Sequence, residues 1–196
     1  LGYVQQKAAL FTGNISSNVA FGDNGKGDYS EEDIINAVGI AQGAEFVEKM
    51  PDTYKSAISQ GGKNVSGGQK QRLSIARAIC RKPQIYIFDD SFSALDYKTD
   101  RKLRSVLKKE TTDATNLIVA QRIGTIIDAD KIIVLDHGKI VGKGSHSYLY
   151  NTCDIYKDMY DSIDDERKLI AKIQSEDIIQ LGDVDNTAFD GLRADP

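Results

Sequence analysis

Residues 85–90, "IYIFDD", decide the fold, because they join a short apolar run to two carboxylates. A continuous apolar run of this length is typical of a strand buried on both faces of a parallel sheet. Asp89 and Asp90 would then lie at the carboxyl edge of the sheet, where open α/β folds bind ligands. Adjacent carboxylates there suit a hydrated Mg²⁺ and a water to be polarised, although the dipeptide taken alone is better explained as a cap of the next turn.

Predicted helices and strands alternate on both sides of this run. Upstream, the patterns predict a strand at 1–5 and helices over 30–41, 44–49 and 68–80. Downstream, they predict a helix over 97–109, a strand at 116–120, a short helix near 125, a hairpin from 131–135 through "DHG" to "KIVGKG", and a helix over 145–160. Strands and helices that alternate with short loops predict the α/β fold class.

The stretch "NVSGGQKQR" at residues 64–72 opens one of these helices with two adjacent glycines. Glycines let backbone N–H groups come close to an anion at a helix N-terminus. The stretch therefore predicts a phosphate contact. The loop G-x-x-x-x-G-K-[ST] that usually completes a phosphate site is absent. "GDNGKGD" at 22–28 is not a substitute, because its first glycines are too close together and Gly27 stands where Ser or Thr is required.

Composition narrows the class of protein. The 196 residues carry a net charge of −4, which argues against a dedicated nucleic-acid binder. Residues 161–196 hold ten acidic and four basic residues, so this C-terminal extension is more acidic than the rest. Cys80 and Cys153 lie far apart without metal-ligand spacing, which favours a reduced, cytosolic setting.

The sequence contains no apolar run of about 20 residues, so no direct membrane insertion by this segment is expected. Leu1 begins the sequence inside a strand-like pattern, from which we expect a piece of a longer protein.

Five short motifs in order resemble the nucleotide-binding domain of exporter-type ATP-binding cassette (ABC) transporters, over residues 1 to about 160. "YVQQKAALFTGNISSNV" resembles the Q-loop segment and "VSGGQKQR" the signature motif, with Val65 in place of the usual Leu. "IYIFD" resembles the Walker B strand, "SALD" the D-loop and "IVAQRIGTI" the switch-loop region. Each motif alone is a weak match, but the five in the family's order are specific.

The resemblance implies a partial P-loop NTPase (RecA-like) core with a helical signature subdomain, lacking the N-terminal Walker A part. It divides the chain into 1–84 with the Q-loop and signature motif, 85–160 with Walker B, D-loop and switch loop, and the acidic extension 161–196. It also implies ATP and Mg²⁺ as cofactors. Without a phosphate loop, these 196 residues alone are expected to be soluble, to bind ATP very weakly and to have no meaningful ATPase activity.

The resemblance assigns the residues to two groups. Ser66, Gly67, Gly68 and Gln69 would hold the γ-phosphate of an ATP bound mainly to a second nucleotide-binding domain, and Asp96 would contact that domain. Gln6 would reach Mg²⁺ and the attacking water, and Asp89 would hold Mg²⁺ through water. The alternative interpretation of Gln6 is a solvated loop glutamine, which fits the residue in isolation but is disfavoured by the other motifs.

Three departures from the family pattern bear on catalysis. Asp90 stands where the family has the Glu that orients water, and a misplacement of roughly 1 Å can cost about 100-fold in rate. Gln121 stands where the family has a switch histidine, and an amide carries neither a proton nor a positive charge. Gln60 stands where the family often has Glu ahead of the signature motif, which puts coupling through that loop in doubt.

Asp90 and Gln121 beside an intact "SGGQ" resemble the degenerate subunit of heterodimeric exporters. The resemblance implies a different subunit as the second nucleotide-binding domain, a transmembrane domain as partner, and the cytoplasmic face of the plasma membrane as location. The alternative is a non-catalytic module that donates its signature motif to a partner or regulates it. A soluble relative in DNA repair or translation is disfavoured by the exporter-like "LFTGNISSNV".

Overall fold

The computed structural model describes residues 1–25 and 27–162. The chain divides into two compact units, Leu1–Ile126 and Ile127–Pro196, which are described separately. Nearly all of the predicted extension 161–196 therefore lies outside the described residues. The domain boundaries predicted between residues 84 and 85 and between 160 and 161 separate groups of motifs, and they stay predictions.

The first unit contains five strands, six α-helices and two short 3₁₀ helices among its described residues. The strands are β1 (Gly2–Val4), β2 (Gly13–Asn14), β3 (Ala57–Ile58), β4 (Ile85–Asp89) and β5 (Thr115–Val119). The helices are α1 (Ile15–Val19), α2 (Glu31–Ile40), α3 (Ala44–Glu48), α4 (Gly67–Cys80), α5 (Tyr97–Glu110) and α6 (Ile123–Ile126). The α/β prediction is confirmed, and the helices predicted over 30–41, 44–49, 68–80 and 97–109 are all present within two residues at each end. The short pair β2–β3 and helix α1 were not predicted.

A three-stranded parallel sheet in the order β1-β4-β5 forms the centre of this unit. Val4 pairs with Phe88, and Asp89 pairs with Val119, so the three strands end at the same edge. Parallel pairing follows from the long helical connections between the strands, because a tight hairpin can only join antiparallel ones.

The prediction that β4 is buried on both faces is wrong. Tyr86 and Phe88 are buried, whereas Ile85 on the opposite face is 45% exposed. Successive side chains of a strand point to opposite faces, and α4 packs on the Tyr86 face, where the carbonyl of Ala78 lies 3.4 Å from a Cβ placed on Gly2. The described residues therefore bury one face of β4 fully and the other only in part.

The helix α4 is the main support of the sheet and of the upstream segment. Its apolar stripe is fully buried and includes Leu73, Ile75 and Ala76. The Arg77 guanidinium of this helix donates to the carbonyl of Asn18 at 2.7 Å and to that of Ala9 at 2.9 Å. These bonds hold residues 9–18 against α4.

The second unit, where described, contains a hairpin followed by helices. Strands β6 (Ile132–Asp136) and β7 (Lys139–Gly144) pair antiparallel across His137 and Gly138, which both have positive φ, of 45° and 75°. A two-residue turn with positive φ at both positions matches the twist of a hairpin, as "DHG" predicted. Helix α7 covers His146–Thr152.

The predicted single helix over 145–160 is wrong in its continuity. Cys153 has extended backbone angles, φ −131° and ψ 101°, which end α7, and residues 154–162 are helical again. In the described part of the chain, no helix combines the length and the hydropathy needed to cross a membrane.

Candidate functional site

The shared edge of the central sheet brings together residues from three distant parts of the sequence. Gln6 follows β1 by two residues, Asp89 ends β4 with Asp90 next to it, and Gln121 follows β5 by two residues. The parallel register produces this meeting, because it aligns the carboxyl ends of all three strands.

Both predicted carboxylates accept a hydrogen bond from the β1 segment. The Gln6 side-chain amide donates to Asp90 Oδ2 at 3.1 Å. The Tyr3 hydroxyl donates to Asp89 Oδ2 at 2.9 Å. This hydrogen bond is the main cause that raises the pKa of the Tyr3 phenol above its ordinary value, and desolvation and the negative charge of Asp89 act in the same direction.

The backbone around Asp90 is held in an uncommon conformation. Asp90 has φ +44°, in the left-handed region that Asp tolerates better than most residues. Its amide donates to the Val119 carbonyl at 2.9 Å, and the Ser93 hydroxyl donates to its carbonyl at 2.8 Å. The buried Ser91 hydroxyl donates to the Val4 carbonyl at 2.9 Å. These bonds tie the ends of the three strands to one another.

Gln121 is at the same edge but not in contact with the carboxylates. Its side chain is exposed and makes no hydrogen bond within the part of the chain that the structure describes. Its neighbours Ala120 and Arg122 line a small depression together with Asp90 and Thr125. The structure thus bonds Gln6 to Asp90, places Asp89 next to this pair with a bond from Tyr3, and leaves Gln121 without a hydrogen bond to either carboxylate.

The signature residues begin helix α4. The Ser66 hydroxyl accepts from the Gln69 amide at 3.2 Å, and the Gln69 side-chain oxygen accepts from the Ser66 amide at 2.9 Å. This reciprocal capping box satisfies two helix N-terminal N–H groups. The Gln69 side chain, predicted to contact phosphate, is therefore engaged in capping its own helix. Gly67 faces open space, with no atom within 4 Å of a Cβ placed on it.

The SALD turn lies beside the start of α4. A Cβ placed on Gly68 would lie 3.4 Å from the Ala94 carbonyl. Asp96 caps α5, because its Oδ1 accepts from the Thr99 amide at 2.9 Å. This hydrogen bond lowers the pKa of Asp96 below its ordinary value, and Asp96 stays exposed. The signature and SALD residues thus form a second, neighbouring cluster of exposed helix starts.

Sequence reasoning missed three side chains that position this site. Tyr3 and Ser91 were missed because their contacts depend on strand register, which no local pattern reveals. The third is Gln71, which is 1% exposed and donates to the Gln5 carbonyl at 3.1 Å, next to Gln6. A glutamine in the middle of a buried helix is a signal that was available, because a buried amide needs a partner.

The carboxylate edge suits a divalent cation bound largely through water. Asp89 is half-buried, and its second oxygen accepts no hydrogen bond from the described residues. No cluster of three or more His, Cys, Asp or Glu side chains able to hold a metal occurs among those residues. Mg²⁺ typically keeps several waters and takes one or two carboxylates together with substrate phosphates, so the oxygen donors of Asp89, Asp90 and Gln6 fit it.

A parallel sheet with this acid-bearing edge, next to a helix opened by Ser-Gly-Gly-Gln, defines the class of ATP-binding domains found in ABC transporters. Residues 1–93 match the family model described as ABC transporter. The matched part of the chain is an ABC transporter ATP-binding domain, and the resemblance deduced from the motifs is confirmed at this level.

Relatives and a solved structure extend the match beyond residue 93. The chain is 44% identical over 162 residues to the ABC transporter ATP-binding protein YfiB of Bacillus subtilis, covering 83% of this chain and 27% of that protein. It is 40% identical over 157 residues to the ATP-dependent lipid A-core flippase of Haemophilus influenzae, covering 80% and 26%. A bacterial Atm1-family ABC exporter with ATP bound superposes with a TM-score of 0.77 and 34% identity, over 82% of this chain and 28% of that one.

These matches support the descriptions ABC transporter, ATP-binding, exporter and transport. The chain spans about a quarter of the length of the curated relatives it matches. The absent Walker A part, the degenerate site and the heterodimer stay predictions.

Proposed function

We propose that this chain is the ATP-binding part of an ABC exporter subunit that pairs with a second, different nucleotide-binding domain. In the complete protein, ATP binding and hydrolysis by the pair would drive transport through a transmembrane domain. The domain would work at the cytoplasmic face of the plasma membrane. The observation that carries the proposal is the sheet edge where Gln6 donates to Asp90 and Tyr3 donates to the neighbouring Asp89.

Asp89 and Gln6 would act on this subunit's own nucleotide. The bound Mg²⁺ would neutralise charge on the phosphates and order water around them. Asp89 would hold that cation through water, and Gln6 would exchange its bond to Asp90 for the water or the cation. The Gln6 amide nitrogen lies 3.1 Å from Asp90 Oδ2 at the shared end of the strands. Binding of the nucleotide at this site would therefore change the contacts of the Q-loop segment that carries Gln6.

The signature cluster would act on the partner's nucleotide. The backbone N–H groups of Gly67 and Gly68 lie at the start of a 14-residue helix, where an anion is favoured. The Ser66 hydroxyl would contribute a further hydrogen bond, and Gln69 would stabilise the helix start that presents these groups. Asp96, exposed at the start of α5, would contact the partner subunit.

Two properties of the edge favour a degenerate site in this subunit. The Asp90 carboxylate is one methylene shorter than Glu, is already bonded to Gln6, and is carried on a left-handed backbone. Gln121 is a neutral amide without a hydrogen bond to the carboxylates. Neither arrangement supplies the long carboxylate or the protonatable group that the family pattern uses. We infer that hydrolysis occurs mainly at the site that receives this subunit's signature motif.

The test restores the family residues in the complete transporter assembled with its partner. We expect Asp90→Glu with Gln121→His to raise total ATP turnover by about twofold, because a correctly positioned general base contributes about 10²–10⁴-fold at its own site and the restored site would add its rate to that of the intact one. The matched control is Asp113→Glu with Gln84→His, which makes the same two changes at exposed positions away from the edge. Unchanged turnover in the restored variant would contradict the degenerate-site proposal.

The signature-donating module is separated from this proposal by one further variant. If this subunit's own site binds ATP, Asp89→Asn weakens the binding of Mg²⁺-ATP at one of the two sites. If the subunit only lends its signature motif, Asp89→Asn changes neither site, and disruption of the helix start at Gly67 still stops turnover.

A further inference from the structure

Tyr3 holds a place at the candidate site that its sequence context does not reveal. It pairs with Ile87 across the parallel β1–β4 register, so Asp89, two residues further along β4, lies on the same face of the sheet. The hydroxyl reaches Asp89 Oδ2 at 2.9 Å. The contact therefore joins the middle of one strand to the functional end of the next.

The Tyr3 ring contributes little to the core. It is 49% exposed, whereas Val4 on the opposite face is fully buried. An aromatic ring with two side-chain torsions loses little freedom when it is fixed, so its hydroxyl is a stable donor. The hydrogen bond holds one oxygen of Asp89 and leaves the other directed away from it. The contact orients the carboxylate rather than stabilising the fold.

No cationic side chain of the described residues is bonded to the two carboxylates, although Arg122 lines the same small depression as Asp90. Neither Asp89 nor Asp90 forms an ion pair with a lysine or arginine among the described residues. Their hydrogen-bond donors are a phenol and an amide, from Tyr3 and Gln6, which are both neutral. A lysine there would cancel the charge that attracts a cation, whereas a neutral donor orients the carboxylate and keeps its charge.

We propose that Tyr3 is a positioning residue for the divalent cation, acting through the orientation of the Asp89 carboxylate. The inference rests on the proposed function, in which Asp89 holds the Mg²⁺ of this subunit's nucleotide. Partners that orient a ligating side chain typically change metal affinity by about 10- to 100-fold. Because Tyr3 is half-exposed, we expect the lower end of that range.

The experiment measures binding of Mn²⁺, as a spectroscopic substitute for Mg²⁺, to the complete transporter loaded with a non-hydrolysable ATP analogue. Free Mn²⁺ is followed by electron paramagnetic resonance, which does not depend on turnover. Tyr3→Phe removes one oxygen atom, and we expect it to weaken Mn²⁺ at one of the two sites by about tenfold. The dependence of turnover on Mg²⁺ should shift in the same direction, with the KM for ATP at saturating Mg²⁺ little changed.

The matched control is Tyr86→Phe, which removes the same atom from β4 on the opposite face of the sheet. Tyr86 is 4% exposed, and its hydroxyl has no hydrogen-bond partner among the described residues. This control should change Mn²⁺ affinity by less than about twofold, as expected for a substitution away from the site. An equal effect of both variants, or unchanged or tighter Mn²⁺ binding in Tyr3→Phe, would overturn the inference.

Asp89→Asn separates failure of this inference from failure of the proposed function. If Asp89→Asn loses Mn²⁺ at one site and Tyr3→Phe does not weaken it, only the role of Tyr3 is wrong. If Asp89→Asn retains both sites, the assignment of Asp89 fails and the inference fails with it. If both are right, Tyr3→Phe has no additional effect in the Asp89→Asn background, because the two residues act as one unit.

Discussion

Replacing Arg77 with Met should destabilise the first unit strongly, because this arginine is the link between α4 and residues 9–18. Its guanidinium donates to the Asn18 carbonyl at 2.7 Å, the Asn18 side-chain oxygen at 3.0 Å and the Ala9 carbonyl at 2.9 Å. It also lies over the rings of Phe11 and Phe21, at 5.1 and 5.6 Å from their centroids. Partial burial of the guanidinium lowers the pKa of Arg77 below its ordinary value.

The magnitude follows from these contacts. Three hydrogen bonds contribute about 1 kcal/mol each, and bonds to charged groups contribute more. The two aromatic contacts add about 0.5 kcal/mol each. Methionine recovers part of the loss by burying its own apolar surface and by removing the cost of burying a charge. We therefore expect a loss of about 3 kcal/mol in the free energy of unfolding, which is roughly a 100-fold change in the folding equilibrium.

The assay is urea unfolding of the 196-residue chain, followed by circular dichroism. The matched control is Arg81→Met at the C-cap of the same helix, where the guanidinium donates to the Asp23 carbonyl at 3.1 Å and also interacts with the Tyr29 hydroxyl. For this control we expect a loss of about 0.5 kcal/mol in the free energy of unfolding. A loss below about 1 kcal/mol in Arg77→Met, or equal losses in the two variants, would refute the assignment of Arg77 as the link.

Two further predictions concern the helix starts. Gly67→Asp should leave the free energy of unfolding unchanged, because the site is open and an acidic residue is favourable in the first turn of a helix. It should reduce transporter turnover by at least about 100-fold, because the new carboxylate would repel a phosphate. The control is Ser147→Asp, which adds an acidic residue to the first turn of α7, and undiminished turnover in Gly67→Asp would contradict the phosphate contact. A hydrogen bond from Lys82, and to a lesser extent those from Ser30, lower the pKa of Asp33 from 3.8 to about 2. The ionised Asp33 therefore stabilises the fold above pH 3.8, and this contribution is lost as the pH falls towards 2. Asp33→Asn should make the urea unfolding midpoint less dependent on pH over that range. An unchanged pH dependence would show that the bond between Asp33 and Lys82 does not contribute to stability.

Local sequence patterns determined the elements and the order of the motifs. The helices predicted over 30–41 and 68–80 are present, capped by Ser30 and Ser66, and α4 ends before Pro83 because proline has no N–H to continue the helix. Alternation of strand and helix was enough to predict the α/β class. The end of β4 placed Asp89 and Asp90 at the edge of the sheet, and the resemblance to a known family predicted them as site residues.

Patterns that act over short distances failed where distant backbone sets the outcome. The apolar run of β4 looked the same as a strand buried on both faces, although Ile85 is 45% exposed. The helical period over 145–160 gave no warning of the extended backbone at Cys153. Strand and helix propensities are averages over local conformations, so they do not report which surfaces meet.

By itself, the sequence determined the helices and strands that carry the motifs, and from the motifs it predicted which carboxylates, glycines and amides belong to the site. Only the tertiary structure decided which of those groups touch. It paired Gln6 with Asp90 and Tyr3 with Asp89, which are 84 and 86 positions apart in the sequence. It also placed the Gln69 side chain in the cap of its own helix, where it accepts from the Ser66 amide. The physical reason is that parallel strand register is fixed by the packing of α4 against the sheet, and register sets which side chains face one another across the edge.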